Sequence, residues 1–422
     1  MQVTLVRNAR IWTPLDRGRG TPGAGPGQGE VCRLDKGAMV CQGETIVAVG
    51  REQDLMRGLH SGDVESEIDC RGLCCVPGFV DPHTHMCFCH EREEEFSARI
   101  AGADYLEILK SGGGILASVG EVRSASEEQL FLLTRRRALS ALSHGTTTIE
   151  MKSGYGLERE QELKQLRVIT RIGRDTALRV VPTFLGAHAV PAEFTDRTKQ
   201  YVDKVISEMI PAVSSARLAR FCDVFCEEGV FSVEDSRRIL EAARASGLGL
   251  KLHADELSEN GGAGLAAALG ATSADHLLAA SDAGLRALAS AGTVGVLLPA
   301  TAYSMRKPYA PARKMISMNL PVAIATDCNP GSSLTESVPF IFGLAVLQMG
   351  LTVAEALCAC TLNAACAVGL GKETGSLSPG KRADFLILDG ETPAILAFHA
   401  GVSPVTHVYV NGQLAWSRKE LP

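Results

Sequence analysis

Two imidazoles two residues apart, His83 and His85, are the first sign of chemistry in this sequence. On an extended strand residues i and i+2 point the same way, so the two rings converge. Alone, a His-x-His pair is as readily a chance feature of a solvated loop. Other polar residues, however, follow short apolar runs in the same manner. His188 comes after 181–184, and His253, Asp255 and Glu256 after 249–252. Asp275 and His276 come after 272–274, and Thr326, Asp327 and Asn329 after 322–325. Five of the ten histidines fall at such ends, too many for scattered surface residues. His83, His85, His253 and Asp327 together offer three nitrogens and one carboxylate oxygen, a set that suits Zn²⁺ or iron with room for a water. Glu256, three residues after His253, is placed to shuttle a proton. His276 is placed to aid activation of water or to stabilise charge on a carbonyl oxygen.

These residues need a scaffold that gathers strand ends. Between 76 and 375 the chain alternates short apolar runs with longer amphipathic ones. The short runs are 76–80, 146–150, 179–184, 221–225, 249–253, 272–276, 293–298 and 322–326. Helical patterns lie between many of them. Residues 198–212 place Val202, Val205, Ile206 and Met209 on one face, and 233–245 is followed by Gly247 as a C-terminal stop. Eight strand–helix alternations predict an α/β fold, a (β/α)8 TIM-like barrel, whose catalytic groups sit at the C-terminal ends of its strands. Both chain ends have a different texture. Residues 2–12, 38–49 (with Gly43 as a turn), 67–70, 383–388 and 406–410 read as strands, the last running into the hairpin signal Asn411-Gly412. The expected division is 1–75 and 376–422 as two parts of one small β-sandwich, with the barrel at 76–375 between them. The Gly- and Pro-rich stretch 17–30 is expected to be a loose loop with no means of packing a core.

The chain has 422 residues, 45% of them hydrophobic, and 42 basic against 48 acidic side chains give a net charge of −6. That balance is ordinary for a globular protein, and the absence of a long basic run gives nucleic-acid binding no support. No basic segment with an apolar stretch opens the chain and no run of about 18 apolar residues occurs, so a cytoplasmic protein without a membrane span is expected. The 13 cysteines lack zinc-finger spacing and read as reduced, small hydrophobes. Cys87 and Cys89, beside the histidine pair, leave a thiolate site or redox pair as the competing reading, and Cys328 lies beside Asp327. Lys110 and the glycines 112–114 lack the Gly-Lys-Ser/Thr ending of a phosphate loop.

The segment Pro77-Gly78-Phe79-Val80-Asp81-Pro82-His83-Thr84-His85 resembles the first-strand signature of the amidohydrolase superfamily. More narrowly, five segments resemble the imidazolonepropionase family. They are Glu150-Met151-Lys152-Ser153-Gly154-Tyr155-Gly156, Thr183-Phe184-Leu185-Gly186-Ala187-His188, His253-Ala254-Asp255-Glu256, Ser273-Ala274-Asp275-His276, and Thr326-Asp327-Cys328-Asn329-Pro330-Gly331-Ser332. The resemblance implies one divalent metal ion, Zn²⁺ or Fe²⁺/Fe³⁺, held by His83, His85, His253 and Asp327. It implies catalytic roles for Glu256, His276 and Asp327. It implies substrate contacts from Arg92, Tyr155, His188, Glu256, Asn329, Gly331 and Ser332. The implied reaction is hydrolysis of the cyclic amide of 4-imidazolone-5-propanoate to N-formimino-L-glutamate in histidine degradation, by a homodimer. Arg92 suits the substrate's carboxylate, although the neighbouring Glu91, Glu93, Glu94 and Glu95 offer it an ordinary surface pairing. Some members of the superfamily bridge two metals with a lysine on the fourth strand. Here 221–228 contains none, which favours one metal unless Glu227 or Glu228 substitutes. An aminohydrolase acting on the exocyclic amine of a purine, pyrimidine or related ring is the alternative. A barrel retained only as a scaffold is disfavoured, because all four ligands are present.

Overall fold

The computed structural model describes residues 3–16, 19–59, 62–103 and 113–418. Lys110 and Gly112 lie outside the described residues. Sixteen strands are described: β1 (Val3–Pro14), β2 (Val31–Gln42), β3 (Thr45–Arg51), β4 (Val64–Asp69), β5 (Cys74–Pro77), β6 (Phe79–Asp81), β7 (Thr146–Lys152), β8 (Arg179–Ala187), β9 (Phe221–Cys226), β10 (Gly249–Ala254), β11 (Ser273–His276), β12 (Val294–Leu297), β13 (Val322–Ile324), β14 (Phe385–Leu388), β15 (Val405–Val410) and β16 (Gln413–Ser417). They form two sheets. One is mixed and built from both termini, in the order β16-β15-β14-β5-β1-β2-β3 with β4 against β1. The other runs β6 to β13 in chain order, all parallel, with helices between the strands, and is the anticipated barrel. No helix among the described residues is long and apolar enough to cross a membrane.

Period-two alternation tells how the terminal sheet packs. Cys75, Phe385 and Ile387 face a small core of their own with Val6, Ile11 and Met39. Cys74, Val76, Leu386 and Leu388 face the other way and join the barrel's core. The Asn411-Gly412 turn has φ of +52° and +75°, the left-handed pair a tight hairpin needs, and it joins β15 to β16 as expected.

Three expectations change. The run 76–80 is not one barrel strand. It divides at Gly78 into β5 of the terminal sheet and β6 of the barrel. A Cβ on Gly78 would lie 2.3 Å from Thr147 Oγ1, so only glycine lets the chain bend this close to β7. The 17–30 stretch is not loose where it is described. Gly25–Gly29 forms a 3₁₀ turn that buries Gln28 completely. The Gln28 amide then acts as a missing strand: Nε2 donates to Val322 O (2.8 Å) and Oε1 accepts from Val322 N (3.0 Å). Composition hid this, because one side chain does the packing. Finally, the helix expected over 198–212 runs Thr198–Lys204, widens to a π-turn at Val205–Met209, and continues through Ile210–Ala216. Pro211, which has no N–H to give, sits at the start of the last segment.

Barrel closure matters most for chemistry. Where β6 and β13 end, the chains beyond them bond directly: Asp327 N donates to His83 O (3.0 Å) and His85 N to Cys328 O (2.9 Å). The Asp81 carboxylate ties the same seam, accepting from Thr326 N (3.1 Å) and Thr326 Oγ1 (2.5 Å). The seam therefore sets His83 and His85 beside Asp327.

Candidate metal centre

The anticipated ligands meet at the C-terminal mouth of the barrel. His83 Nε2 lies 3.1 Å from His85 Nε2, and His253 Nε2 lies 3.3 Å from His85 Nε2. Asp327 Oδ1 is 3.5 Å from both His83 Nε2 and His85 Nε2. Asp327 reaches the site from a left-handed backbone (φ +53°), and Thr301 Oγ1 donates to its other oxygen at 2.5 Å. All four side chains are buried.

Behind them stand groups that the motif reading did not single out as a unit. His83 Nδ1 donates to Asp275 Oδ2 (2.5 Å), and His253 Nδ1 lies 3.1 Å from Asp223 Oδ2. Lys152 Nζ sits 2.8 Å from both Asp223 Oδ2 and Glu150 Oε1 and 3.9 Å from Asp275 Oδ2. Lys251 Nζ donates to Pro82 O and Ala367 O (3.2 Å each). Burial works to raise the Asp223 carboxyl, but the charges of His253 and Lys152 outweigh it and hold it well below the usual range. The signal available in the sequence was charge at alternating positions of inward-facing strands: Glu150 with Lys152, and Lys251 with His253.

The residues present fit a divalent cation on two counts. With ligand atoms about 2.0–2.1 Å from an ion, neighbouring ligands in a tetrahedral shell stand about 3.3 Å apart, which matches the spacings here. His83 carries its proton on Nδ1, so its Nε2 lone pair faces the other ligand atoms, an arrangement that a cation between them relieves. Second, among the described residues the buried carboxylates Glu150, Asp223, Asp275 and Asp327 face two buried ammoniums, Lys152 and Lys251. Two negative charges are left uncompensated, the charge of one divalent ion. Two further carboxyls are driven toward neutrality by burial, Asp81 to about 7 and Glu256 to about 8.

Around this centre, His276 Nδ1 lies 3.5 Å from Glu256 Oε1, and burial keeps its ring neutral. Its left-handed backbone (φ +75°) turns the chain at the strand end. His188 stacks on His85 with centroids 4.9 Å apart and donates from Nδ1 to Gly154 O (3.0 Å), leaving Nε2 as an acceptor. Tyr155 packs beside His188 and His85. Arg92 lies against Gly331 so closely that a Cβ there would be 1.7 Å from Arg92 Nη2. Its Nε and Nη1 are buried without a hydrogen-bond partner, although Glu95 Oε2 is 3.5 Å from Nε. Arg92, Gly331, Pro330, Ala300 and Tyr303 line a cavity of about 290 Å³. Asn329 is occupied by its own loop: Oδ1 accepts from Gly331 N (2.9 Å) and Ser332 N (2.8 Å), and Nδ2 donates to Asp327 O (2.7 Å) and Ser332 Oγ (2.9 Å).

Other candidates fall away from the centre. Glu227 holds the loop after Glu256, accepting from Leu257 N (2.9 Å) and Ser258 Oγ (2.5 Å), and Glu228 is exposed. Asp255 accepts from the backbone N–H groups of Asn260, Gly261, Gly262 and Ala263, capping the following helix. All 13 cysteines are free, and no group of metal-ligand atoms among the described residues includes one. Burial pushes the Cys87 thiol up to about 12, so it behaves as an apolar side chain.

Known proteins match this picture. The model of the family described as "Amidohydrolase family" matches residues 75–415. A protein of Syntrophobacter fumaroxidans named imidazolonepropionase is 60% identical over 97% of this chain and 96% of its own length. One of Desulfotalea psychrophila with the same name is 55% identical over 98% of this chain and 99% of its own. Among solved structures, guanine deaminase of E. coli superposes with a TM-score of 0.74 at 15% identity, covering 99% of this chain and all of that one. Atrazine chlorohydrolase TrzN of Arthrobacter aurescens TC1, complexed with zinc, gives 0.71 at 18% identity, covering 97% of this chain and 94% of that one. At such identities these two structures speak to the fold.

Proposed function

Because this chain belongs to the amidohydrolase family, we propose that it hydrolyses the ring amide of 4-imidazolone-5-propanoate to N-formimino-L-glutamate, as its relatives' name, imidazolonepropionase, suggests. The observation that carries the reading is the meeting of His83, His85, His253 and Asp327 at spacings suited to one cation. A divalent ion there, zinc or iron, would acidify a water molecule and polarise the carbonyl.

The chain's own groups supply the rest. Asp327, raised by burial only to about 6, is ionised at neutral pH and accepts a proton from the attacking water. Glu256, raised by burial to about 8, holds a proton at neutral pH and delivers one to the ring nitrogen as the C–N bond breaks. Neutral His276 offers an N–H to the carbonyl oxygen as negative charge grows there. Arg92, whose Nε and Nη1 carry no hydrogen bond and whose guanidinium lies beside Gly331, suits the propionate. Tyr155, His188 and the Gly331–Ser332 backbone complete the substrate's surroundings. This chemistry suits a small-molecule substrate; the cytoplasmic location and the homodimer are carried by the resemblance to the relatives alone.

An assay of purified, ion-loaded protein tests the reading. Imidazolonepropanoate should be consumed at a rate that guanine and cytosine do not approach. Ammonia release from those bases, with the imidazolone untouched, would replace this reading with a deaminase.

A further inference from the structure

Behind the histidines, Glu150, Asp223 and Asp275 converge in a wholly buried space. A nitrogen of His83 and one oxygen each of Asp223 and Asp275 lie within 4.8 Å of one another; with His83 Nδ1 donating to Asp275 and Nε2 turned to the first site, the atoms open to a further cation here are the carboxylate oxygens. Asp223 Oδ2 is fully buried and is met by two nitrogens, Lys152 Nζ (2.8 Å) and His253 Nδ1 (3.1 Å). Glu150 Oε1 meets the same ammonium at 2.8 Å. Lys251 lies as far from Asp275 as Lys152 does (3.9 Å each), but its Nζ is committed to two carbonyls, whereas Lys152 Nζ meets two carboxylates at 2.8 Å.

We propose that the Lys152 ammonium is the built-in second cation of this centre, a positioning residue that fills the space between Asp223 and Glu150 that a second divalent ion would take, holds Asp223 toward His253, and limits the protein to one ion. The inference rests on the reading that the first ion sits among His83, His85, His253 and Asp327. The chemistry is that of substitution. Without Lys152, the four buried carboxylates face Lys251 and the first ion, and one negative charge is left uncompensated in a space lined by the oxygens of Glu150, Asp223 and Asp275. The oxygen-rich site left behind suits a hard cation such as Mn²⁺ or Mg²⁺. In this chain β9 lacks a bridging lysine, and Lys152 on β7 supplies an electrostatic reason for a single-ion centre.

The test is to titrate metal-free protein with Mn²⁺, counting bound ions per chain by dialysis with elemental analysis and recording the Mn²⁺ paramagnetic resonance. Wild type should stop at one tight ion with an isolated-ion spectrum, even in excess. Lys152→Ala, which removes charge and opens space, should take a second ion and show a spin-coupled pair. Lys152→Met, which removes the charge but fills the space, should hold one. Two tight ions in wild type or in the Met variant, or one only in a folded Ala variant, would overturn the inference. Should the Ala variant not fold, Lys152→Ser, which also removes the charge and opens space, takes its place: a second ion in it supports the inference and one ion only overturns it. A wild type that binds no tight ion defeats the reading of the centre itself, an outcome distinct from one ion in every variant.

Discussion

Asp275 stands directly behind His83, its Oδ2 accepting the Nδ1–H at 2.5 Å while His83 Nε2 faces His85 at 3.1 Å. That contact fixes the tautomer of His83 and aims its lone pair into the site. Asp223 stands in a similar place behind His253. Outer carboxylates of this kind typically contribute about 10–100-fold to metal affinity. Asp275→Asn and Asp223→Asn should each weaken ion binding by about that factor, read by competition with a chromophoric chelator. Unchanged affinity in both would separate these carboxylates from the centre.

Gly331 and Arg92 make a second testable pair. Because a Cβ at 331 would strike Arg92 Nη2, Gly331→Ala must displace the guanidinium. Losing a charge-assisted contact of about 1.5–3 kcal/mol should raise KM for imidazolonepropanoate by about ten-fold or more, with kcat less affected. Steady-state kinetics decide, and an unchanged KM would remove Arg92 from the carboxylate site.

The Gln28 bridge concerns stability, away from the chemistry. Gln28→Ala leaves the buried Val322 N–H without its side-chain acceptor, while the Val322 carbonyl keeps the Asn363 Nδ2 donor (2.9 Å). One unsatisfied buried group costs about 1–3 kcal/mol, so urea unfolding should show a loss of about that size. Activity per folded molecule should hold. A loss under about 0.5 kcal/mol would mean that this packing matters little.

Acid–base linkage gives a further expectation for the metal-free protein. Burial raises Asp81 to about 7 and Glu256 to about 8, and Asp223 outweighs burial to raise His253. Above the ordinary histidine value of 6.5 the folded protein therefore holds protons that the unfolded chain has released, and stability falls as pH rises through these values. Below 6.5 the neutral, buried His83, His85, His188 and His276 pull the other way, so the decline belongs to the alkaline side. Calorimetry of chelator-treated protein should show a falling melting temperature between about pH 6.5 and 9. Glu256→Gln should flatten the fall, and a rising curve would contradict it.

Much of this was legible in the chain because the barrel obeys a positional rule. Short apolar runs end in polar residues, and His83, His188, His253, His276 and Asp327 all follow that rule. What stayed hidden depends on partners far away in sequence. Lys152 and Asp223 lie 71 positions apart, and neither looks unusual until both are found buried on adjoining faces of the barrel interior. Gln28 sits in a stretch whose composition signals a loop, and only its pairing with Val322, 294 positions away, reveals a packing role. The break at Gly78 was invisible for the same reason: the Thr147 side chain that demands it belongs to another strand.

The most direct measurement is turnover of imidazolonepropanoate as metal-free protein is titrated with Zn²⁺ or Fe²⁺. Hydrolysis should rise in proportion to bound ion, reach its plateau at one equivalent, and be lost together with ion binding in His253→Ala and Asp327→Ala. Full activity in rigorously metal-free protein, or an ion-loaded wild type inert toward the imidazolone, would contradict the account.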